Sequence, residues 1–193
     1  MMHDPIARFK KWWEHALSNS PLKQKSAVCV STIDADGFPT GRFVDLKAVD
    51  ASGFTFCTYL DSNKGDDIRR NPKVALTIWW DHVGYQLRVV GTASQLNDTL
   101  ALEYWDTRTR DAQITTSCFE QSSALEAESH LLLKFEKTKA AFSQSPIPKP
   151  ASWGGYLVAP VSIEFLTFKQ SRLHLRELYE VDGDGWKKSL LQP

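Results

Sequence analysis

Apolar and polar positions along the chain follow two periods. Ile6, Phe9, Trp13 and Leu17 recur at helical spacing behind Asp4-Pro5, which supplies an N-cap and a first-turn proline. This predicts an amphipathic helix over residues 5–18, stopped by Asn19-Ser20-Pro21. Residues 26–32, 40–49 and 54–59 are rich in β-branched and aromatic residues. They are separated by Asp34-Ala35-Asp36-Gly37 and Asp50-Ala51-Ser52-Gly53, so they read as an antiparallel meander. A short helix opens at Ser62-Asn63-Lys64-Gly65, with Ser62 as its cap, and ends before Asn71-Pro72. Two further strands, 73–80 and 85–94, flank a turn at Asp81-His82-Val83-Gly84.

Asn97 or Asp98 caps a helix to about residue 107, with Leu100, Tyr104 and Trp105 inward. Ser123-x-x-Glu126 reads as a capping box that starts the longest helix, to about residue 142. A proline-rich connector at 145–150 leads to strands at 161–168, 172–181 and 186–190, the last two joined by Asp182-Gly-Asp-Gly185. Strands dominate, with no regular βαβ alternation, internal repeat or low-complexity linker. The expected fold is α+β, an antiparallel barrel or strongly curled sheet with flanking helices, as one domain over 1–193.

Composition narrows the partners. Lys+Arg and Asp+Glu are equal at 23 each, so no general attraction to nucleic acid or acidic membranes is expected, and an anion site must be a local cluster. Seven Trp and ten Phe favour a sheet-rich core or a large apolar interface. Cys29, Cys57 and Cys118 are odd in number and form no C-x-x-C pair, which favours a reduced, cytoplasmic setting. Neither a signal-peptide pattern nor an apolar run of about 18 residues is present, so a soluble intracellular protein with no membrane partner is expected.

Candidate chemistry centres on Arg172-Leu-His-Leu-Arg176. In an extended strand Arg172, His174 and Arg176 share one face, suited to a phosphate or an electron-rich ring, although the pattern also fits a solvated basic face. The helix start at Ser62, with Lys64, is a second possible anion site or an ordinary capped helix. No P-loop, G-x-G-x-x-G or G-x-S-x-G is present. His3, His15, His82, His130 and His174 have no metal-ligand spacing, and Asp182-Gly-Asp-Gly185 lacks the remaining ligands of a calcium loop. Trp79-Trp80 reads as core packing, and nothing local pairs Cys57 or Cys118 with His174 as nucleophile and base.

The spaced pieces form an ordered set: Arg42-Phe-Val-Asp-Leu-Lys47, Ser62-Asn-Lys64, Gln86-Leu-Arg88, Gln121-Ser122, Trp153-Gly-Gly155, Ile163-Glu-Phe165, Arg172-Leu-His174 with Arg176, and the Leu-Gln-Pro end. From about Asp4 to Pro193 this set resembles the pyridoxamine 5′-phosphate oxidase family. The resemblance implies an FMN-binding split barrel that works as a homodimer, with flavin at the subunit interface and a dimerisation region at about 150–193. It implies FMN-dependent oxidation of pyridoxamine or pyridoxine 5′-phosphate to pyridoxal 5′-phosphate, with oxygen as electron acceptor. Arg42 and Lys64 match residues that bind the FMN phosphate, and Asn63 stands beside them without the charge of the usual arginine. Thr58, Gln86, Gln121, Ser122 and Arg176 match other FMN contacts. Lys47, Tyr104 and Arg108 match holders of the substrate phosphate, and Arg172 and His174 match catalytic residues over the substrate near the flavin ring.

The chain departs from the family at several places. Leu166 replaces a tryptophan, Cys57 a tyrosine, Ala112 a serine, Asp45 an aliphatic residue and Leu175 an acid, and the family's N-terminal extension is not expected. Arg42 and Lys47, five residues apart, lie on opposite faces of a regular strand. They share a site only through a bulge, a strand end or a dimer partner. These departures keep two alternatives open: a related FMN oxidoreductase with another substrate, such as a ring-oxidising enzyme of secondary metabolism, or a flavin- or pyridoxal-phosphate-binding protein with little turnover.

Overall fold

The computed structural model describes residues 4–18 and 20–193; His3 and Asn19, named above, lie outside them. Helix α1 (Pro5–Ser18) is followed by β1 (Ala27–Ile33), β2 (Pro39–Asp50), β3 (Gly53–Tyr59), α2 (Asn63–Arg70), β4 (Lys73–Trp80) and β5 (Tyr85–Gln95). Then come α3 (Asp98–Asp106), α4 (Arg110–Cys118), α5 (Ser129–Ala141), β6 (Trp153–Thr167), β7 (Leu175–Asp182) and β8 (Gly185–Leu191). All strand pairings are antiparallel. The order β3-β2-β1-β4-β5-β6 closes through a β3–β6 ladder into a six-stranded barrel, and β7 and β8 continue outward from β6. The expected α+β split barrel with flanking helices is the observed architecture.

The barrel interior follows from strand alternation. Val28 and Val30 of β1, Leu76 and Ile78 of β4, Leu87 and Val89 of β5, and Ile163 and Phe165 of β6 all point inward. Asp4 caps α1 by accepting from the Ile6 N–H at 2.8 Å. The helix drives Phe9 into the same core, where its fully buried ring meets Phe54 edge-on at 5.0 Å. Truncating that ring would cost about 3–5 kcal/mol. A smaller cluster of Trp105, Ile114, Ile147 and Trp153 fixes α3 and α4 against the outside of the barrel.

Several sequence expectations need correction. Strand β6 begins at Trp153, not 161, because its first four residues are buried on both faces and show no alternation. Pro160 sits opposite Gly91 at a β5–β6 bulge, where a missing N–H is tolerated. Strand β7 begins at Leu175, so Arg172 and His174 lie in the β6–β7 loop, with Arg172 at φ +60°. Helix α5 starts at Ser129, not at the Ser123 capping box, since the Ser123 N–H closes a turn onto the Glu120 carbonyl. At 13 residues α5 is shorter than α1, which has 14. Helix α4 was not anticipated, because RDAQITTSC offers little apolar periodicity. In α3, Ala101 and Trp105 are buried, whereas Leu100 and Tyr104 are only partly so. Of the two tryptophans read as core, Trp80 is buried but Trp79 is 64% exposed.

Candidate functional site

The residues singled out from the sequence fall into two groups. The first gathers where β3 ends and α2 begins. Gly65 lets this turn pack tightly, since a Cβ there would collide with the Leu60 carbonyl. The turn directs the Lys64 side chain inward, where it is 6% exposed. Its ammonium donates to Thr58 Oγ1 at 2.8 Å, to Ser62 Oγ at 2.9 Å and to Gln121 Oε1. Ser62 precedes α2 but does not cap it through its side chain. Its hydroxyl donates to the Tyr59 carbonyl and accepts from Lys64, so the expected cap is part of the lysine's shell instead. Burial pushes the Lys64 ammonium down to about 8, with Arg42 adding repulsion. All three acceptors are neutral oxygens, and among the described residues Lys64 makes no ion pair. A buried cation held this way is stabilised by an incoming anion.

Arg42 stands beside this group. It donates to Thr32 Oγ1 at 2.6 Å and Thr40 Oγ1 at 2.7 Å and lies 3.6 Å from Asp67 Oδ2. Asp67, buried on α2, also accepts from Thr32 at 2.7 Å and from Arg70 at 2.7 Å, which locks the helix to the β1–β2 hairpin. Thr32, Thr40 and Asp67 escaped sequence reading. A signal was present in the hairpin register, which pairs Thr32 with Thr40 two positions from Arg42. The Asn63 N–H donates to Ser122 Oγ at 3.3 Å, bringing the Gln121-Ser122 segment onto the same helix start. Ser122 has φ +79°, and it and Arg172 are the described non-glycine residues with positive φ. An open cleft of about 440 Å³ runs past Arg42 and Asn63 to Arg70.

The other face of β3 carries a neighbouring cluster. Arg108 stacks over Trp153 at 5.0 Å and Trp105 at 5.6 Å and donates to Thr116 Oγ1 at 2.8 Å and the Ala112 carbonyl at 3.0 Å. Burial lowers its pKa, and its Nε is buried without a partner. Cys57 and Tyr104 pack against the cluster that contains these tryptophans. Burial pushes the Cys57 thiol up to about 11, against the pull of Lys47 and Arg108, so it is a neutral wall residue and not a nucleophile. Lys47 reaches this cluster because the β2–β3 register shifts between Leu46 and Ala48, making Lys47 the bulged residue. Its ammonium lies 2.6 Å from Asp45 Oδ2.

The second group lies along β5, β6 and β7. The register pairs Gln86 with Leu166 and Leu166 with Arg176, in one row across the sheet. Glu164 accepts from Arg176 Nε at 2.8 Å and from Arg88 Nη2. Burial would raise the Glu164 carboxyl, but the hydrogen bonds from Arg176 and Arg88 more than reverse this and hold it below its ordinary value. In the adjoining loop, His174 Nδ1 accepts from the Lys169 N–H at 3.1 Å, so the neutral ring carries its proton on Nε2. The His174 ring meets Phe168 edge-on at 5.2 Å, and Arg172 is held through its own N–H to the Lys169 carbonyl.

One protomer does not bring the two groups together. Thr58 pairs with Gly154 near the start of β6, and Arg176 pairs with Leu166 near its end. At about 3.3 Å per residue most of the length of this strand separates them. Among the described residues no group of three or more His, Cys, Asp and Glu is placed to hold a metal ion, and no helix is long and apolar enough to cross a membrane.

A closed six-stranded barrel with helices packed outside, carrying two separated cationic groups, is the split-barrel class. An FMN-binding protein from Nostoc punctiforme shares the fold, with a TM-score of 0.79 at 17% identity over the full length of both chains. Residues 18–141 match the family model for pyridoxamine 5′-phosphate oxidase, and residues 153–193 match its C-terminal dimerisation region. The chain belongs to this family. It is 42% identical over 190 residues to the pyridoxine/pyridoxamine 5′-phosphate oxidase of Shewanella sediminis, covering 98% of this chain and 89% of that one. The enzyme of the same name from Edwardsiella ictaluri is 38% identical, at 98% and 87% coverage. PhzG from Burkholderia lata, solved with tetrahydrophenazine-1-carboxylic acid, superposes with a TM-score of 0.91 at 27% identity, covering 98% of this chain and 93% of PhzG.

Proposed function

We propose that this protein is an FMN-dependent oxidase that converts pyridoxamine or pyridoxine 5′-phosphate to pyridoxal 5′-phosphate, with oxygen as electron acceptor. In this reading it works as a homodimer of single-domain chains, 1–193. The observation that carries the reading is Lys64: a buried ammonium with three neutral acceptors and, among the described residues, no ion-pair partner, at the position the resemblance assigns to the FMN phosphate. The donor set fits that group. Lys64 and Arg42 supply charge, while Asn63, Thr58, Gln121 and Ser122 supply neutral contacts. Gln86 and Arg176, too distant in the same chain, reach the flavin from the second protomer. That requirement, together with the dimerisation region, supports the homodimer. The three free cysteines support a cytoplasmic setting.

Lys47, Tyr104 and Arg108 hold the substrate phosphate, with Arg108 made rigid by its tryptophan stack. Arg172 and His174 cover the substrate, and His174 offers the Nε2–H as a fixed donor to the substrate's amine or hydroxyl. FMN, when bound, supplies hydride acceptance and reoxidation by oxygen. The protein's part is to bind, orient and exclude water, which requires no nucleophile or metal.

A second reading is oxidation of a different ring substrate. It is favoured by the Asp45–Lys47 pair and by Ala112, which offers Arg108 only a backbone oxygen. One preparation separates the readings. Addition of pyridoxamine 5′-phosphate to the FMN-loaded protein without oxygen should bleach the flavin absorbance. A yellow protein that stays yellow sinks the first reading, and failure to take up FMN sinks both.

A further inference from the structure

Asp45 is an acid set among cations: it, Lys47 and Arg108 all act on Cys57. It lies on β2, its carboxylate 2.6 Å from Lys47 Nζ, and is half-exposed, so nothing in the core requires it. Lys47 is the bulged residue of β2, and the Asp45–Lys47 pair lies near Cys57, which Arg108 and Tyr104 also neighbour. Lys47 and Arg108 would together offer two positive charges. With Asp45 in contact with Lys47, the built-in charge falls to one. Arg108 has no such counter-charge among the described residues, so the neutralisation is selective. Resting on the proposed roles of Lys47, Tyr104 and Arg108, we propose that Asp45 is a specificity-determining residue that weakens the hold of this pocket on a doubly charged phosphomonoester.

The competing role for Asp45 is to hold Lys47 in place for the phosphate, and it predicts the opposite sign. Asp45→Asn keeps size and hydrogen bonding while removing the charge. Calorimetric titration of the FMN-loaded wild type and variant with pyridoxal 5′-phosphate, and with pyridoxal as the phosphate-free control, separates the two. Asp45→Asn should tighten pyridoxal 5′-phosphate by roughly two- to fivefold, the range of a half-exposed charge interaction, and leave pyridoxal unchanged. Unchanged or weaker binding of pyridoxal 5′-phosphate, equal tightening of pyridoxal, or no phosphate binding by either protein would each overturn the proposal. Anaerobic bleaching reports separately on the proposed reaction, so failure of the reaction and failure of this role are distinguishable.

Discussion

The Lys64 group and the Arg176 group solve opposite electrostatic problems. Lys64 is buried among neutral oxygens with no ion-pair partner among the described residues, and the nearby charge of Asp61 offsets only part of the cost of its burial. Arg176 shares Glu164 with Arg88, so its charge is partly answered before any ligand arrives. The first arrangement stores a demand for an anion at a cost in stability. The second stores geometry, since a shared carboxylate fixes two guanidinium groups, and the one positive charge left over is spread across two partly exposed side chains where solvent screens it. Binding strength should therefore reside at Lys64, and orientation at Arg176.

The largest break in this contrast should come from Lys64→Met. Loss of a charge-assisted phosphate contact is worth about 1.5–3 kcal/mol, so FMN affinity in a fluorescence titration should fall by about one to two decades. The apo protein should unfold at an equal or higher temperature, because an unpaired buried charge is gone. Raising the pH should produce the next largest change. Lys64 titrates at about 8 in the apo protein, and a bound phosphate raises that value. FMN affinity should be level near pH 7, where the phosphate is already mostly doubly charged, and fall above pH 8, by at most about tenfold per unit. The stability sign is the reverse. The folded pKa is depressed below the ordinary lysine value of 10.5, so the unfolded chain binds more protons between the two values. Lys64's contribution to apo stability should therefore rise with pH across that window.

Arg176→Ala should weaken FMN by less than about tenfold, because Glu164 then remains paired with Arg88. A loss as large as that of Lys64→Met would erase the distinction between the groups. Glu164→Gln should change FMN affinity least, by about threefold or less, while lowering stability by about 1–3 kcal/mol in urea unfolding, since two arginines lose their shared counter-charge.

Most of the barrel was legible because its strands alternate and its turns carry Asp and Gly. The start of β6 was not, because burial on both faces erases alternation and Pro160 interrupts it at a bulge. The loop holding Arg172 reads as strand because Leu173 and Leu175 alternate with polar residues, although Leu173 is exposed and Arg172 turns through a left-handed conformation. Most cationic positions could be named through the resemblance of the ordered set to a known family, and Arg172, Arg176 and Lys64 also from local pattern. What each cation touches could not: the Asp67 anchor of Arg42 and the Glu164 bridge join residues far apart in the chain. The bulge that lets Lys47 share a site with the far side of β3 has only a geometric necessity as its sequence trace, the five-residue separation from Arg42.

The β3–β6 ladder also governs when the protein can fold. It pairs Phe54 with Val158, roughly a hundred residues later. During synthesis β3 must wait with an open edge until β6 leaves the ribosome, a period in which that edge can capture another strand. Because β6 also pairs with β7, barrel closure and docking of the C-terminal hairpin share one late step. Substitutions along β6 should therefore slow productive folding and promote aggregation of nascent chains more than equally destabilising changes in the β1–β2 hairpin.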